Sequence, residues 1–222
     1  MKEPPMPLSR RRFFASIAAV ATAIAGGAAA LMMGGPPRRA LSAVEKNACA
    51  LTAPTTAGPY YVTGMPELVD GNLNAGGLEG LTMEVSGHVF DGATGETPLA
   101  GAEVEIWHAD STGNYRPNGN GAATNYQPSE LALRGFVKTD ASGAYRFTTI
   151  YPGEYTGRVR HFHFKVRAPG KPELTTQLIV PPREGDTLSF DTDDIAEGLP
   201  NCQLLAVDET VTPAKASFDF RV

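Results

Sequence analysis

Gly135-Phe136-Val137-Lys138-Thr139-Asp140-Ala141-Ser142-Gly143-Ala144-Tyr145-Arg146-Phe147-Thr148-Thr149-Ile150 contains two runs of β-branched and aromatic residues around an Asp-to-Gly turn. Such residues on a period of two fit a pleated, half-buried surface, and the turn chemistry predicts a β-hairpin. The pattern repeats in both directions. Upstream, Leu81 to Phe90 and Ala102 to Trp107 alternate apolar and polar. Downstream, Arg158 to Val166 and Ala216 to Val222 do the same, and Thr175 to Val180 is a further short strand-like run. Turns rich in Gly, Pro and Asp separate these runs, and only Asp193 to Leu199 hints at a helical turn. The expected fold is therefore all-β, a β-sandwich core with long irregular loops, no internal repeat and no second folded domain. Residues 49–80, with Pro54, Gly58-Pro59, Gly64 and Pro66, read as a turn-rich lead-in.

The chain has 222 residues and a formal net charge of −5. Ser9-Arg10-Arg11-Arg12-Phe13-Phe14 precedes an uncharged, Ala- and Gly-rich run from Ser16 to Gly35. A basic start, an apolar run and paired arginines predict a twin-arginine-type export signal and linker over residues 1–42, with the folded domain over 43–222. A periplasmic or extracellular location follows as an expectation, with no stable membrane anchor once the signal is removed. The acidic, well-mixed charge after Arg39 gives no footprint for nucleic acid or an anionic membrane surface. The two cysteines, Cys49 and Cys202, lie near the ends of the exported part, where an oxidising compartment favours a disulfide.

Candidate chemistry sits in Tyr155-Thr156-Gly157-Arg158-Val159-Arg160-His161-Phe162-His163. In a strand, His161 and His163 project from the same face, which is metal-ligand geometry or a solvated surface strand. Tyr155 stands in a short turn just before them. Tyr115 begins a long stretch from Pro117 to Pro128 that is almost without apolar residues, and long structureless loops usually serve a site. Two phenols and two imidazoles suit a hard trivalent ion, because Fe(III) depresses the phenol pKa of roughly 10 enough to ionise it. Two phenolates and two neutral imidazoles leave ferric iron one net positive charge and an open position.

Gly58-Pro59-Tyr60-Tyr61-Val62, Leu99 through Trp107-His108-Ala109-Asp110 to Tyr115, Arg134 to Phe147, Pro152-Gly153-Glu154-Tyr155 and His161-Phe162-His163-Phe164 resemble the intradiol ring-cleavage dioxygenases. The likeness runs from about Cys49 to Val180. It implies an intradiol dioxygenase-like fold and a non-haem Fe(3+) cofactor held by Tyr115, Tyr155, His161 and His163. It also implies an oxidoreductase of aromatic compound catabolism, acting on a catechol-type diol and O2 to give a cis,cis-muconate-type diacid. On the same likeness, Tyr155 is the ligand that substrate displaces, Arg158 steadies the ring-bound intermediate, and Gln177 contacts substrate and dioxygen. Tyr60 would line the substrate pocket and Trp107 be structural; His108 and Asp110 are read as local structure. The chain lacks the N-terminal helical dimerisation segment of catechol 1,2-dioxygenases, which leaves the oligomeric state open, a homo-oligomer included. The rival expectation is a non-catalytic transthyretin- or carboxypeptidase-regulatory-like β-sandwich binding module. It shares the sheet motifs but leaves the histidines and the Tyr115 loop without a role.

Overall fold

The computed structural model describes residues 49–222; the expected export signal and linker lie outside the described residues. The strands are β1 (Val62–Thr63), β2 (Thr82–Phe90), β3 (Glu103–Trp107), β4 (Gly121–Ala122), β5 (Arg134–Lys138), β6 (Ala144–Ile150), β7 (His161–Arg167), β8 (Leu174–Ile179), β9 (Val207–Asp208), β10 (Ala214–Ser217) and β11 (Phe220–Arg221). A short helix, α1 (Asp194–Gly198), follows β8, with Asp193 as its N-cap. No helix among the described residues is long and apolar enough to cross a membrane.

Two sheets face each other. In the first, β6 runs antiparallel along one edge of β2, while β10 and β11 run parallel along the other, with β9 outside β10. In the second, β5, β3, β7 and β8 are antiparallel neighbours in that order. Met83, Val85, Phe147, Ala216 and Phe220 from the first sheet meet Val104, Ile106, Phe162, Phe164, Val166 and Leu178 from the second in one core. The all-β sandwich read from the sequence is the observed architecture.

The hairpin expectation is corrected. The turn exists: Gly143 N–H donates to the Asp140 carbonyl (3.0 Å), and the Asp140 carboxylate accepts from the Ser142 and Ala144 N–H groups. Its strands do not pair, because β5 joins β3 and β6 joins β2, so the turn carries the chain from one sheet to the other. The lead-in is what separates them. Leu68 N–H donates to the Phe136 carbonyl on β5, while Leu73 N–H and the Gly71 carbonyl bond Thr148 on β6. Each strand edge that a hairpin would have used is already taken. An alternating run specifies a buried face, not a partner.

Two smaller expectations shift. The final run is two strands, interrupted at Phe218-Asp219, where Phe218 N–H reaches the Ser86 carbonyl and the Asp219 carboxylate accepts from His88 N–H. The histidine strand begins at His161, leaving Arg158 in the turn before it. The expected helical turn is α1, and Cys49 and Cys202 are bonded with Cα atoms 5.4 Å apart. Next to that bond, the buried amide of Gln203 accepts from Ala53 N–H and donates to the Gln177 carbonyl, fastening the lead-in beside β8.

Candidate metal centre and active site

In β7, Phe162, Phe164 and Val166 enter the core, so His161, His163 and Lys165 point to the opposite face. Strand register then assembles one row across the whole second sheet. Arg134 lies opposite Trp107, Trp107 opposite His163, and His163 opposite Gln177. All four are buried, although this face looks away from the core. Loops cover it. The indole of Trp107 stacks on the His163 ring at 5.0 Å and 5°.

Two loop contacts bring in the phenols. Gly153 N–H donates to the Asp110 carbonyl (2.8 Å), and a Cβ at Gly153 would lie 2.4 Å from Gly113 N, so only glycine lets the Tyr115 and Tyr155 loops dock this closely. Tyr155 and Arg158 face each other across the two-residue turn Thr156-Gly157, with Arg158 N–H donating to the Tyr155 carbonyl (2.7 Å). Asp110 holds the start of the Tyr115 loop, accepting from Thr112 and Asn114 N–H and pairing with Arg116. His108 bonds the Ala109 carbonyl and Thr149 Oγ1, and burial lowers its pKa to about 4. Both residues are local structure, as expected.

The donor atoms converge. His161 Nε2 and His163 Nε2 are 3.1 Å apart, and the Tyr115 hydroxyl lies 3.3 Å from the first and 3.1 Å from the second. Ligands about 2.0–2.2 Å from one ion, at angles near 90–110°, stand about 3–3.5 Å from each other, so these three atoms fit a common metal. The tautomer also fits. His161 Nδ1–H donates to the Val159 carbonyl (2.6 Å), leaving the Nε2 lone pair free. His163 Nδ1 has no hydrogen-bond partner; the Thr56 carbonyl lies near it without reaching bonding geometry and accepts instead from Gln177 Nε2 (2.9 Å). Tyr155 stands beside these three, its ring 5.1 Å from that of Tyr115 and 5.6 Å from that of His161.

Electrostatics keeps the imidazoles neutral. Burial and then the charge of Arg158 lower His161 to about 3; burial, His161 and Arg158 push His163 well below its ordinary value. Burial raises both Tyr115 and Tyr155, with Arg158 opposing it in each. Without a cation both phenols stay protonated; a bound metal inverts that balance.

Every sequence-predicted site residue is in this cluster. Tyr60 stacks on Tyr115 at 4.4 Å and meets Tyr155 edge-on at 5.7 Å. Its neighbour Tyr61 faces elsewhere, packing on Trp107 and donating to Glu105. Arg158 Nη2 donates to Gln177 Oε1 (2.7 Å), so both ends of the Gln177 amide are engaged. Sequence reasoning missed two residues. Arg134 donates to the Arg116, Tyr60 and Pro117 carbonyls, tying together the loops that bear the stacked Tyr60 and Tyr115. Asp193, fully buried, accepts from Arg158. A cation in a strand and an acid before a helix were visible, but nothing marked either as part of the site.

Residues 56–221 match the Dioxygenase family model. The chain belongs to the intradiol ring-cleavage dioxygenases. It is 36% identical over 162 residues to the catechol 1,2-dioxygenase 2 of Acinetobacter lwoffii, covering 63% of this chain and 54% of that protein. It is 33% identical over 162 residues to the hydroxyquinol 1,2-dioxygenase of Nocardioides simplex, covering 65% and 51% respectively. The chain thus spans about half the length of these curated relatives. Among solved structures, the dioxygenase domain of a dioxygenase carbohydrate-binding protein fusion from Streptomyces sp. SirexAA-E superposes with a TM-score of 0.62 at 32% identity, covering 78% of this chain and 97% of that one.

Proposed function

We propose that this chain is a non-haem Fe(III) dioxygenase that cleaves a catechol-type ring between its two hydroxylated carbons with O2, giving a cis,cis-muconate-type diacid. The observation that carries the proposal is the convergence of Tyr115 Oη, His161 Nε2 and His163 Nε2 within 3.3 Å of one another, with Tyr155 beside them. These four residues would hold the iron. When bound, ferric iron supplies the Lewis acidity that ionises the ring diol and the electron affinity that makes the ring reactive toward dioxygen.

The chain's own residues supply the rest. Tyr155 sits at the end of a two-residue turn, less enclosed than Tyr115, so its Oη is the group placed to take a ring-hydroxyl proton. Arg158 exerts its charge on all four donor residues and stabilises negative charge developing on the ring. The stacked pair Tyr60 and Tyr115, locked by Arg134, closes one side against water. A non-catalytic sandwich module leaves this buried donor set without a role.

The test is metal analysis with an absorption spectrum. The purified protein is expected to carry about one iron per chain and a visible tyrosinate charge-transfer band, and to consume O2 with catechol. Tyr155→Phe is expected to bleach or shift the band, and His161→Ala to lose the iron. Unchanged colour and iron in both variants would sink the reading. We also propose export by the twin-arginine route, supported by Arg10 to Arg12 and by the Cys49–Cys202 bond, which suits an oxidising compartment. Fusing residues 1–42 to a reporter and locating it tests this part; a cytoplasmic reporter rejects it.

A further inference from the structure

Arg158 stands beside the donor residues, bonded to Gln177 opposite His163, yet it does not hold itself in place. It sits in a tight turn, outside any strand. What fixes it is Asp193, whose side chain is fully buried. Arg158 Nε donates to both carboxylate oxygens at 2.8 Å. The same carboxylate accepts from Val159 N–H (2.9 Å) and from the Ile195 and Ala196 N–H groups at the start of α1 (3.1 Å each). One carboxylate therefore joins the guanidinium, the backbone leading into His161, and the helix. Burial alone would raise Asp193, but the Arg158 bond and the N–H donors outweigh it and keep the group ionised. Arg158 then reaches across to Gln177, and Gln177 to the Thr56 carbonyl, completing a chain of oriented groups along one side of the centre.

The charge balance carries the argument further. Arg158 is neutralised by Asp193. Arg134, the other cation acting on Tyr115, has its donors on three backbone carbonyls. Lys165 and Arg167, one and two same-face steps beyond His163 on β7, are paired with Glu173 and Glu105. A ring carboxylate entering beside Arg158 would meet Asp193 behind it, with Lys165 and Arg167 already paired and Arg134 directed at backbone carbonyls, and an unpaired buried charge is strongly disfavoured.

We propose that Asp193 is a positioning and specificity-determining residue: it orients Arg158 over the centre and, by cancelling that charge, suits the site to ring diols without a ring carboxylate. This rests on the dioxygenase reading and names the substrate class within it. The test compares wild type, Asp193→Asn and Asp193→Ser, all iron-loaded; Asn and Ser both keep an acceptor for the helix N–H groups, so folding does not hinge on one variant. Catechol and 3,4-dihydroxybenzoate are the probes. Turnover is measured for each, and equilibrium affinity is read anaerobically from the shift of the visible band.

Wild type is expected to favour catechol in kcat/KM by about 100-fold, the scale of one unpaired buried charge. Both variants are expected to keep their iron, lose catechol kcat by about tenfold or more, and narrow the preference by about tenfold, in affinity as well as turnover. A merely structural role would lower both substrates together. An iron-loaded, coloured enzyme whose preference is unmoved in a folded variant overturns the role of Asp193 alone. So does a wild type that accepts both diols equally. A wild type that binds no iron overturns the dioxygenase reading and this role with it.

Discussion

The two faces of the β5-β3-β7-β8 sheet are equally buried for opposite reasons. On the inner face, Val104, Ile106, Phe162, Phe164 and Val166 are fully enclosed by the partner sheet, and burial of apolar area stabilises them. On the outer face, Arg134, Trp107, His163 and Gln177 are enclosed by loops, and their polar atoms lose water without the same return. The orphaned Trp107 Nε1 and His163 Nδ1 both belong to this row. One strand, β7, serves both faces: its even-numbered residues hold the fold together, and its histidines form the site at a cost to stability.

The sharpest test of that contrast exchanges neighbouring residues of β7. Phe164→Ala is expected to cost about 3–5 kcal/mol through the cavity it leaves, with the folded fraction still able to bind iron. His163→Ala should do the reverse. Iron and colour should be lost and activity should fall by at least about 1000-fold, while the metal-free protein changes by less than about 2 kcal/mol, since an unpartnered buried nitrogen is removed. Urea midpoints of the metal-free proteins, with iron per chain, decide it. Equal destabilisation by both would show that the outer face is simply more core.

How much of this was legible in the sequence follows the same division. Period-two alternation marks a buried face, so the strands, the sandwich and the same-face histidines could be read directly. The partner of each strand could not, because it depends on which edges are already taken; Glu67 to Leu73 lies between β5 and β6, and nothing in the Asp140-to-Gly143 turn signals it. The candidate donors were recognisable because two imidazoles share one face of a strand and a tyrosine stands in each of two adjoining loops. Their supports were not. Asp193 reads as an ordinary helix cap and Arg134 as a strand cation, since both act through atoms brought near only by folding.

A second difference between the faces is their response to acid. The inner face of these strands holds no titrating side chain, whereas on the outer face burial lowers His161 to about 3 and His163 further; His108, past the end of β3 and reaching Thr149 on the other sheet, is lowered to about 4. Their pKa values in the unfolded chain are near 6.5, so below that pH the unfolded state binds more protons and stability falls. Above it the effect vanishes. Between about pH 6.5 and 4, before the depressed carboxylates contribute, each imidazole should cost about 1.4 kcal/mol per pH unit at most. Urea midpoints of the metal-free protein at pH 7, 6 and 5 test the sign. A flat profile, or greater stability in acid, would mean that these rings are open to water.

The smallest effect belongs to the turn that brings the two faces' chemistry to an edge. Thr156 has φ of 34° and Gly157 has φ of 77°, left-handed backbone at both central positions of the turn between Tyr155 and Arg158. That geometry favours Asn-Gly, and a β-branched residue in the first position is strained. Thr156→Asn is therefore expected to stabilise the protein by about 0.5–1 kcal/mol. It would also hold Tyr155 more firmly beside the other donors. If Tyr155 must yield its place for substrate to bind, the stiffer turn should lower kcat by about two- to threefold while iron retention improves. Stability and turnover rising together would show that the strain is incidental, and that the turn is only a short path from one sheet face to the next.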